Sequence, residues 1–259
     1  LLLFPPGLDF IKAFVGCALA GCPSVPLSIP RARQSLSGLE KIANDCGAKV
    51  VLCTQAVSGI LKSRIPKGSL LDRLVWINVD ELDDSEQAFF TVPPSQYSFP
   101  VFLQYTSGST GTPKGVVVSS ENLLHNLRNI ASLFRFTEGS RVVSWLPHFH
   151  DMGLVGSILT SLYAGAQCIL LSPVDFIQKP YRWLKAVSEY GGTLAGAPNF
   201  AYDLCVSKIR GEQVDTLDLR SWGLAWNGAE TIRASTIAAF AEHFRRAGFR
   251  KEAFAPCYG

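Results

Sequence analysis

Apolar positions along this chain fall into two rhythms: short runs of consecutive apolar residues, and longer stretches in which they recur every three or four positions. The runs predict buried strands and the stretches predict helices packed over them. Residues 8–20 set Phe10, Ile11, Phe14, Val15 and Leu19 near helical spacing, and residues 37–46 predict a second helix. Lys49-Val50-Val51-Leu52-Cys53 and residues 74–79 predict strands, residues 80–86 an acidic solvated loop, and Pro93-Pro94 irregular chain. Residues 101–105 and 116–118 predict two short buried strands. A helix follows from near Ser120, carrying Leu123, Leu124, Leu127, Ile130, Ala131 and Phe134 on one face. The turn Thr137-Glu138-Gly139-Ser140 is the expected lobe boundary, giving lobes 1–138 and 139–259. The second lobe predicts strands at 141–146, 167–171, 192–197 and 222–226 with helices between them, one at 154–163. Such alternation implies an α/β fold with mostly parallel sheets flanked by helices.

With 259 residues, 47% of them hydrophobic, the chain can bury a large core, which excludes disorder. The net charge of +3 comes from scattered basic residues and gives no support to a nucleic-acid partner. The densest basic group, Arg245, Arg246, Arg250 and Lys251, sits at a predicted helix end, where the helix dipole favours cations. Cys17, Cys22, Cys46, Cys53, Cys168, Cys205 and Cys257 form neither a C-x-x-C pair nor an even disulfide framework, and read as reduced thiols of a cytosolic protein with no metal bound. Residues 152–174 carry no charge and are long enough to cross a bilayer. They divide, however, into a helix, a turn at Ala164-Gly165-Ala166 and a strand, so no transmembrane segment is expected. The chain opens on Leu1-Leu2-Leu3-Phe4 with no Met and no secretory signal, and reads as beginning within a protein.

The candidate chemistry concentrates between the two strands at 101–105 and 116–118, in Tyr105-Thr106-Ser107-Gly108-Ser109-Thr110-Gly111-Thr112-Pro113-Lys114-Gly115. Gly108, Gly111 and Gly115 let backbone approach a ligand, Thr106, Ser107, Ser109, Thr110 and Thr112 supply hydroxyls, and Lys114 supplies positive charge. That combination suits a phosphate chain. The P-loop pattern G-x-x-x-x-G-K-[ST] fails here, since Pro113 precedes Lys114, Gly115 follows it, and a valine strand separates the loop from the next helix. A plain Ser/Thr/Gly surface turn seldom sets proline and lysine between two strongly apolar strands.

Residues 106–115 resemble the phosphate loop of the AMP-forming adenylating enzymes: acyl-CoA synthetases, luciferases and nonribosomal-peptide adenylation domains. Three further segments, Trp145-Leu146-Pro147-His148-Phe149-His150-Asp151-Met152-Gly153-Leu154, Ser172-Pro173-Val174-Asp175-Phe176 with Arg182-Trp183-Leu184, and Ala197-Pro198-Asn199-Phe200-Ala201-Tyr202-Asp203-Leu204-Cys205, resemble the fatty acyl-AMP ligases within that superfamily. The likeness extends from Pro5-Pro6-Gly7 to Cys257-Tyr258-Gly259. It implies two adjacent mostly parallel sheets with the site in a groove between lobes, as an N-terminal portion of a larger architecture. The family's small barrel, hinge, ribose-binding Asp and C-terminal catalytic Lys would all fall beyond Gly259, so this segment alone is expected to bind nucleotide weakly and not to turn over.

The reaction implied is attack of a carboxylate oxygen on the α-phosphorus of ATP with loss of pyrophosphate, for which a protein supplies positioning and charge rather than a nucleophile. Lys114 with Thr106, Ser107, Gly108, Ser109, Thr110 and Gly111 would hold the phosphates, with Mg²⁺ bound mainly through phosphate oxygens and water. His150 resembles the family histidine that orients the carboxylate. Two other readings stand beside it, a structural His150 and a metal site in which His148 and His150, two apart on extended chain, share one face and bind together with Asp151. Asn227-Gly228-Ala229-Glu230 follows a strand and precedes a helix expected from near Thr231. The family places adenine there, while a glycine turn beside an N-cap is the plainer reading. Tyr258 and Gly259 resemble the start of a further motif whose Tyr packs near adenine. Gly196, Ala197 and Pro198 offer small residues beside the groove that would leave room for an alkyl chain, with His150 also counted on the substrate side, although core packing explains Phe200 and Leu204 equally well.

The function implied is that of an acid–thiol ligase: ATP-dependent conversion of a fatty acid to acyl-adenylate, then transfer to an acyl-carrier protein or to CoA. The insertion that separates the two acceptor classes would fall after Gly259, so both stay open. The alternative is a noncatalytic lipid- or nucleotide-binding domain of a larger regulatory protein, and a phosphotransferase releasing ADP comes third. Nothing in these residues selects a chain length or an oligomeric state.

Overall fold

A computed structural model describes residues 1–82, 99–106 and 113–258, and it has the α/β architecture of parallel sheets flanked by helices. The chain divides into two units, Leu1–His125 and Asn126–Gly259. The division lies inside the helix Ser120–Leu133, N-terminal to the turn at 137–140 that the sequence suggests.

In the first unit, β1 (Leu2–Leu3), β2 (Pro26–Leu27), β3 (Val50–Cys53) and β4 (Val75–Asn78) form a parallel sheet in the order β2-β1-β3-β4. The apolar opening run of the chain is thus an interior strand, fully buried at Leu2 and Leu3. The helix Leu8–Leu19 covers part of this core through Phe10, Ala13 and Phe14. Val15 and Leu19, set near helical spacing in the sequence, are exposed, because the buried stripe follows the i, i+3, i+4 positions Phe10-Ala13-Phe14 and they lie off it. Likewise Leu127 and Ala131 of Ser120–Leu133 are buried while Leu124 is exposed.

The two strands flanking the hydroxyl-rich loop are present as an antiparallel hairpin, β5 (Pro100–Thr106) and β6 (Lys114–Ser119), with Thr106 opposite Lys114. Ser24 joins it to the unit, donating its N–H to Val101 O at 3.0 Å and accepting from Leu103 N–H at 2.8 Å. The expectation of a buried second strand does not hold. Val116 and Val117 are more than half exposed, since among the described residues β6 pairs with β5 alone. Gly115 also has a different use from the one expected: a Cβ there would come within 2.8 Å of the Tyr105 ring, so the missing side chain accommodates Tyr105 across the ladder. The Tyr105 hydroxyl in turn donates to the Asp45 carboxylate, fixing the stem of the loop. The loop's own residues 107–112, like Pro93-Pro94 and most of the acidic run, lie outside the described residues.

In the second unit, β7 (Arg141–Ser144), β8 (Gln167–Leu170), β9 (Leu194–Ala197), β10 (Leu224–Asn227) and β11 (Phe254–Pro256) make a parallel sheet in the order β11-β10-β9-β7-β8. From β7 the chain passes to β8 on one flank and then to β9 on the other. The order therefore reverses between β7 and β9, the switch point at which open α/β sheets open a crevice beyond their carboxyl ends. Trp183, Trp222, Tyr202 and Phe240 fill the core edge to face, with Trp183–Trp222 centroids 5.2 Å apart and Tyr202–Phe240 5.0 Å apart.

The uncharged stretch 152–174 does fold as helical chain, turn and strand, with Gly165 in the left-handed conformation (φ 66°) ending the helix. Among the described residues no helix is long and apolar enough to cross a membrane. The helical part departs from expectation, because Leu154–Leu159 is a π-helix. Ser157 and Thr160 hydroxyls donate to carbonyls five residues back, Met152 O at 3.3 Å and Val155 O at 2.7 Å, which supports the wider turn. All seven cysteines are free thiols. In the basic group at the helix end, Arg245 pairs with Glu242 at 3.3 Å, and Arg246 pairs with Asp215 at 3.1 Å.

Candidate active site

The residues that immediately follow β7, β9 and β10 converge on one hollow of about 320 Å³, lined by Trp145, Leu146, Pro147, His150, Met152, Pro198, Phe200, Ala229 and Glu230. It lies at the switch point of the second sheet, and its walls are apolar apart from two ionisable side chains, His150 and Glu230. Its aromatic wall is built of packed rings. Trp145 stacks on Phe176 at 3.9 Å between centroids and meets the Phe200 ring edge-on at 6.2 Å.

His150 is set by a tight turn. Its N–H donates to Pro147 O at 3.1 Å, and its carbonyl accepts from Gly153 N–H at 3.0 Å and Leu154 N–H at 2.7 Å. Its Nδ1 lies 2.7 Å from Asp151 Oδ1 and 3.3 Å from Met152 N. One nitrogen cannot donate to the carboxylate and accept from the amide at once. The Met152 N–H is already satisfied by Asp151 Oδ1 at 2.6 Å, so the shorter contact assigns the Nδ1 proton to the Asp151 bond. In the neutral ring Nε2 is then the acceptor nitrogen. The same hydrogen bond raises the His150 pKa against the opposing effect of partial burial, and lowers that of Asp151. A raised pKa keeps the imidazolium to higher pH, so Asp151→Asn is expected to move the His150 titration to lower pH. The ring proton shift in an NMR titration checks this; an unmoved midpoint contradicts it.

Gly153 makes this turn possible, since a Cβ there would fall 2.2 Å from Pro147 O, a backbone atom that cannot rotate away. Gly153→Ala is expected to displace the 147–150 turn. The cost in stability is about 1–3 kcal/mol, which thermal melting measures; an unchanged melting temperature contradicts it.

His148 is buried whereas His150 is exposed, so the two rings do not share a face open to a metal. Among the described residues no group of three or more His, Cys, Asp or Glu side chains is placed to hold a metal ion. Of the residues proposed for the acyl side, His150 and Pro198 line the hollow, while Gly196 and Ala197 are buried within β9. The room left by Gly196 is taken by the indole of Trp226, the residue beside it on β10: a Cβ at 196 would lie 2.2 Å from that ring. Phe200, left open between pocket and core, is partly exposed and lines the hollow. Trp145, Leu146, Pro147 and Met152 were not singled out as site residues. Their signal was proximity to His150 in sequence.

The turn after β10 divides between two roles. Asn227 and Gly228 are buried, whereas Ala229 and Glu230 face the hollow. Gly228 is pressed against the end of β11, where a Cβ would approach Cys257 Sγ to 2.8 Å and Cys257 O to 2.9 Å. Ala229 is held at φ 67°, a left-handed conformation that costs a non-glycine residue about 1–2 kcal/mol. The following helix begins at Ala234, later than the sequence suggests. Tyr258 is fully exposed. In the first unit, Thr106 and Lys114 stand exposed as the last and first residues of β5 and β6. Ser107, Gly108, Ser109, Thr110 and Gly111 between them lie outside the described residues, as does Gly259.

A parallel α/β unit with an apolar, His- and Glu-bearing hollow at its switch point has its cavity where open α/β sheets commonly take small molecules. The family comparison is specific: the chain belongs to the AMP-binding enzyme family, which matches residues 1–259. It is 39% identical over its whole length to the medium-chain-fatty-acid–[acyl-carrier-protein] ligase JamA of Moorena producens, covering 44% of that protein. It is 34% identical, again over its whole length, to the long-chain-fatty-acid–AMP ligase FadD23 of Mycobacterium tuberculosis, covering 45% of it. Among solved structures, the fatty acyl-adenylate ligase from L. pneumophila in complex with acyl adenylate and pyrophosphate matches with a TM-score of 0.91 and 42% identity, over all of this chain and 45% of that one. The chain thus spans less than half the length of each of these three relatives.

Proposed function

We propose that the protein containing this chain activates a fatty acid with ATP, forming an acyl-adenylate and pyrophosphate, and passes the acyl group to a thiol. The hollow at the β7/β9 switch point carries this reading: apolar walls suit an acyl chain, and His150, oriented by Asp151, offers one polar atom to its carboxylate. ATP is the co-substrate that the family's chemistry implies. Exposed Lys114 and the Thr106 hydroxyl, facing each other across the hairpin ladder, fit the polyphosphate. Ser107, Gly108, Ser109, Thr110 and Gly111 complete that loop in this reading. The 227–230 turn receives adenine, with Tyr258 and Gly259 near it. Mg²⁺, held mainly by the nucleotide and water, would supply charge neutralisation beside Lys114. His150 orients the acid for in-line attack, and Lys114 stabilises the departing pyrophosphate.

Similarity to a ligase that acts on an acyl-carrier protein favours a phosphopantetheine thiol as acceptor, with CoA the other outcome. The test is a panel of carboxylic acids with the full-length protein, reading pyrophosphate and nucleotide products. Acid-dependent pyrophosphate and AMP support the proposal. ADP or inorganic phosphate without AMP overturns it, as does binding of acid and nucleotide with no products, the behaviour of a noncatalytic domain.

A further inference from the structure

The turns that follow β9 and β10 are cross-linked in both directions by side chains. Asn199, the first residue of the helix Asn199–Lys208, is 3% exposed, and its amide is used completely. Oδ1 accepts from Arg233 N–H at 3.0 Å and from Asn227 Nδ2 at 3.4 Å, while Nδ2 donates to Thr236 Oγ1 at 3.0 Å and Asp203 Oδ2 at 3.3 Å. Two acceptor bonds and two donor bonds exhaust a carboxamide and fix its orientation. In the opposite direction, Glu230 Oε1 accepts the Phe200 N–H at 2.7 Å, one of the amides at a helix start that lack an intrahelical partner. Pro198 and Phe200 on one turn, and Ala229 and Glu230 on the other, are walls of the hollow. The strained backbone of Ala229 sits between the two links, as such conformations do where their surroundings over-determine them.

We infer that Asn199 and Glu230 are positioning residues forming a two-way clamp, which makes the turn assigned to adenine and the Phe200 wall assigned to the acyl chain a single mechanical unit, so that ATP and acid bind with coupled affinity. Glu230 acts through an acceptor oxygen on a helix amide and not through its charge on a ligand. The inference rests on the functional reading above for what fills each side of the hollow. The clamp itself is a property of the chain.

The full-length protein is compared with Glu230→Ala, Glu230→Gln and Asn199→Ala by steady-state kinetics and by amide hydrogen exchange at Phe200 and Arg233. Glu230 is exposed, so its variants keep the fold even if Asn199→Ala does not. Glu230→Ala is expected to raise the KM for ATP and the KM for the acid together, each about tenfold, and to speed exchange at Phe200. Glu230→Gln keeps an Oε1 acceptor and recovers most of both losses. Glu230→Gln as impaired as Glu230→Ala, or a change confined to the ATP KM, overturns the clamp. A wild-type protein inactive with every acid overturns only the functional reading. Exchange then decides the clamp by itself: faster exchange at Phe200 in Glu230→Ala upholds it, and unchanged exchange refutes it.

Discussion

On the proposed reaction, Lys114→Ala in the full-length protein is expected to lower acid-dependent pyrophosphate release by about 10²- to 10³-fold, the usual consequence of removing one charge-stabilising donor from a transition state, and to leave the melting temperature unchanged. The second half of that expectation comes from the fold. Lys114 is exposed at the start of β6 and makes no ion pair among the described residues, so its side chain contributes nothing that a melting experiment would register. The first half comes from chemistry, because negative charge moves onto the leaving group as the bond to the α-phosphorus breaks. Release and melting measured on the same preparation separate the two. Unchanged release removes Lys114 from the mechanism, and a large drop in melting temperature makes it a structural residue.

Trp222→Ala is expected to be the most damaging single change to the fold, at about 3–5 kcal/mol for truncating a buried tryptophan. Trp222 is completely buried, with Trp183 at 5.2 Å, Phe249 at 5.1 Å and Phe240 at 6.0 Å between centroids. Its Nε1–H donates to Leu224 O at 2.9 Å and to Ala195 O at 3.2 Å, stitching β10 to β9 directly below the turns that line the hollow. Trp222→Phe keeps most of the volume and loses the donor, with an expected cost of about 1–3 kcal/mol. Urea denaturation midpoints rank the two variants. Equal midpoints would show that the indole N–H, and not the packed volume, is what matters.

Strand positions were legible wherever apolar residues run together. The stretches around Val50–Cys53, Val75–Asn78, Pro100–Thr106, Arg141–Ser144 and Gln167–Leu170 all carried that signal. Leu2–Leu3 and Pro26–Leu27 were not legible as strands, because two residues carry no period and their burial depends on partners far away in sequence. The π-helical geometry of Leu154–Leu159 is a matter of which carbonyl each amide and hydroxyl finds, which apolar spacing does not encode. At the site, His150 was legible through its resemblance to a motif, and it does line the hollow. The surroundings of Gly196 were not legible for a physical reason: only the parallel register of β9 and β10 reveals that Trp226 occupies its missing side chain's place. The Asn199–Glu230 links were hidden for the same reason, since their partners lie 28 to 37 residues apart and meet only once the two strands are side by side.

The central claim is that a carboxylate oxygen captures the adenylyl group of ATP. Supplying the full-length protein with ATP and a fatty acid labelled with ¹⁸O in both carboxylate oxygens, then weighing the AMP left after the acyl group has moved to a thiol, tests it directly. Capture at the α-phosphorus leaves one labelled oxygen on AMP, a mass increase of about 2 Da, since the bridging oxygen stays with phosphorus when the acyl carbon is attacked. AMP without label, or ADP as the nucleotide product, contradicts it.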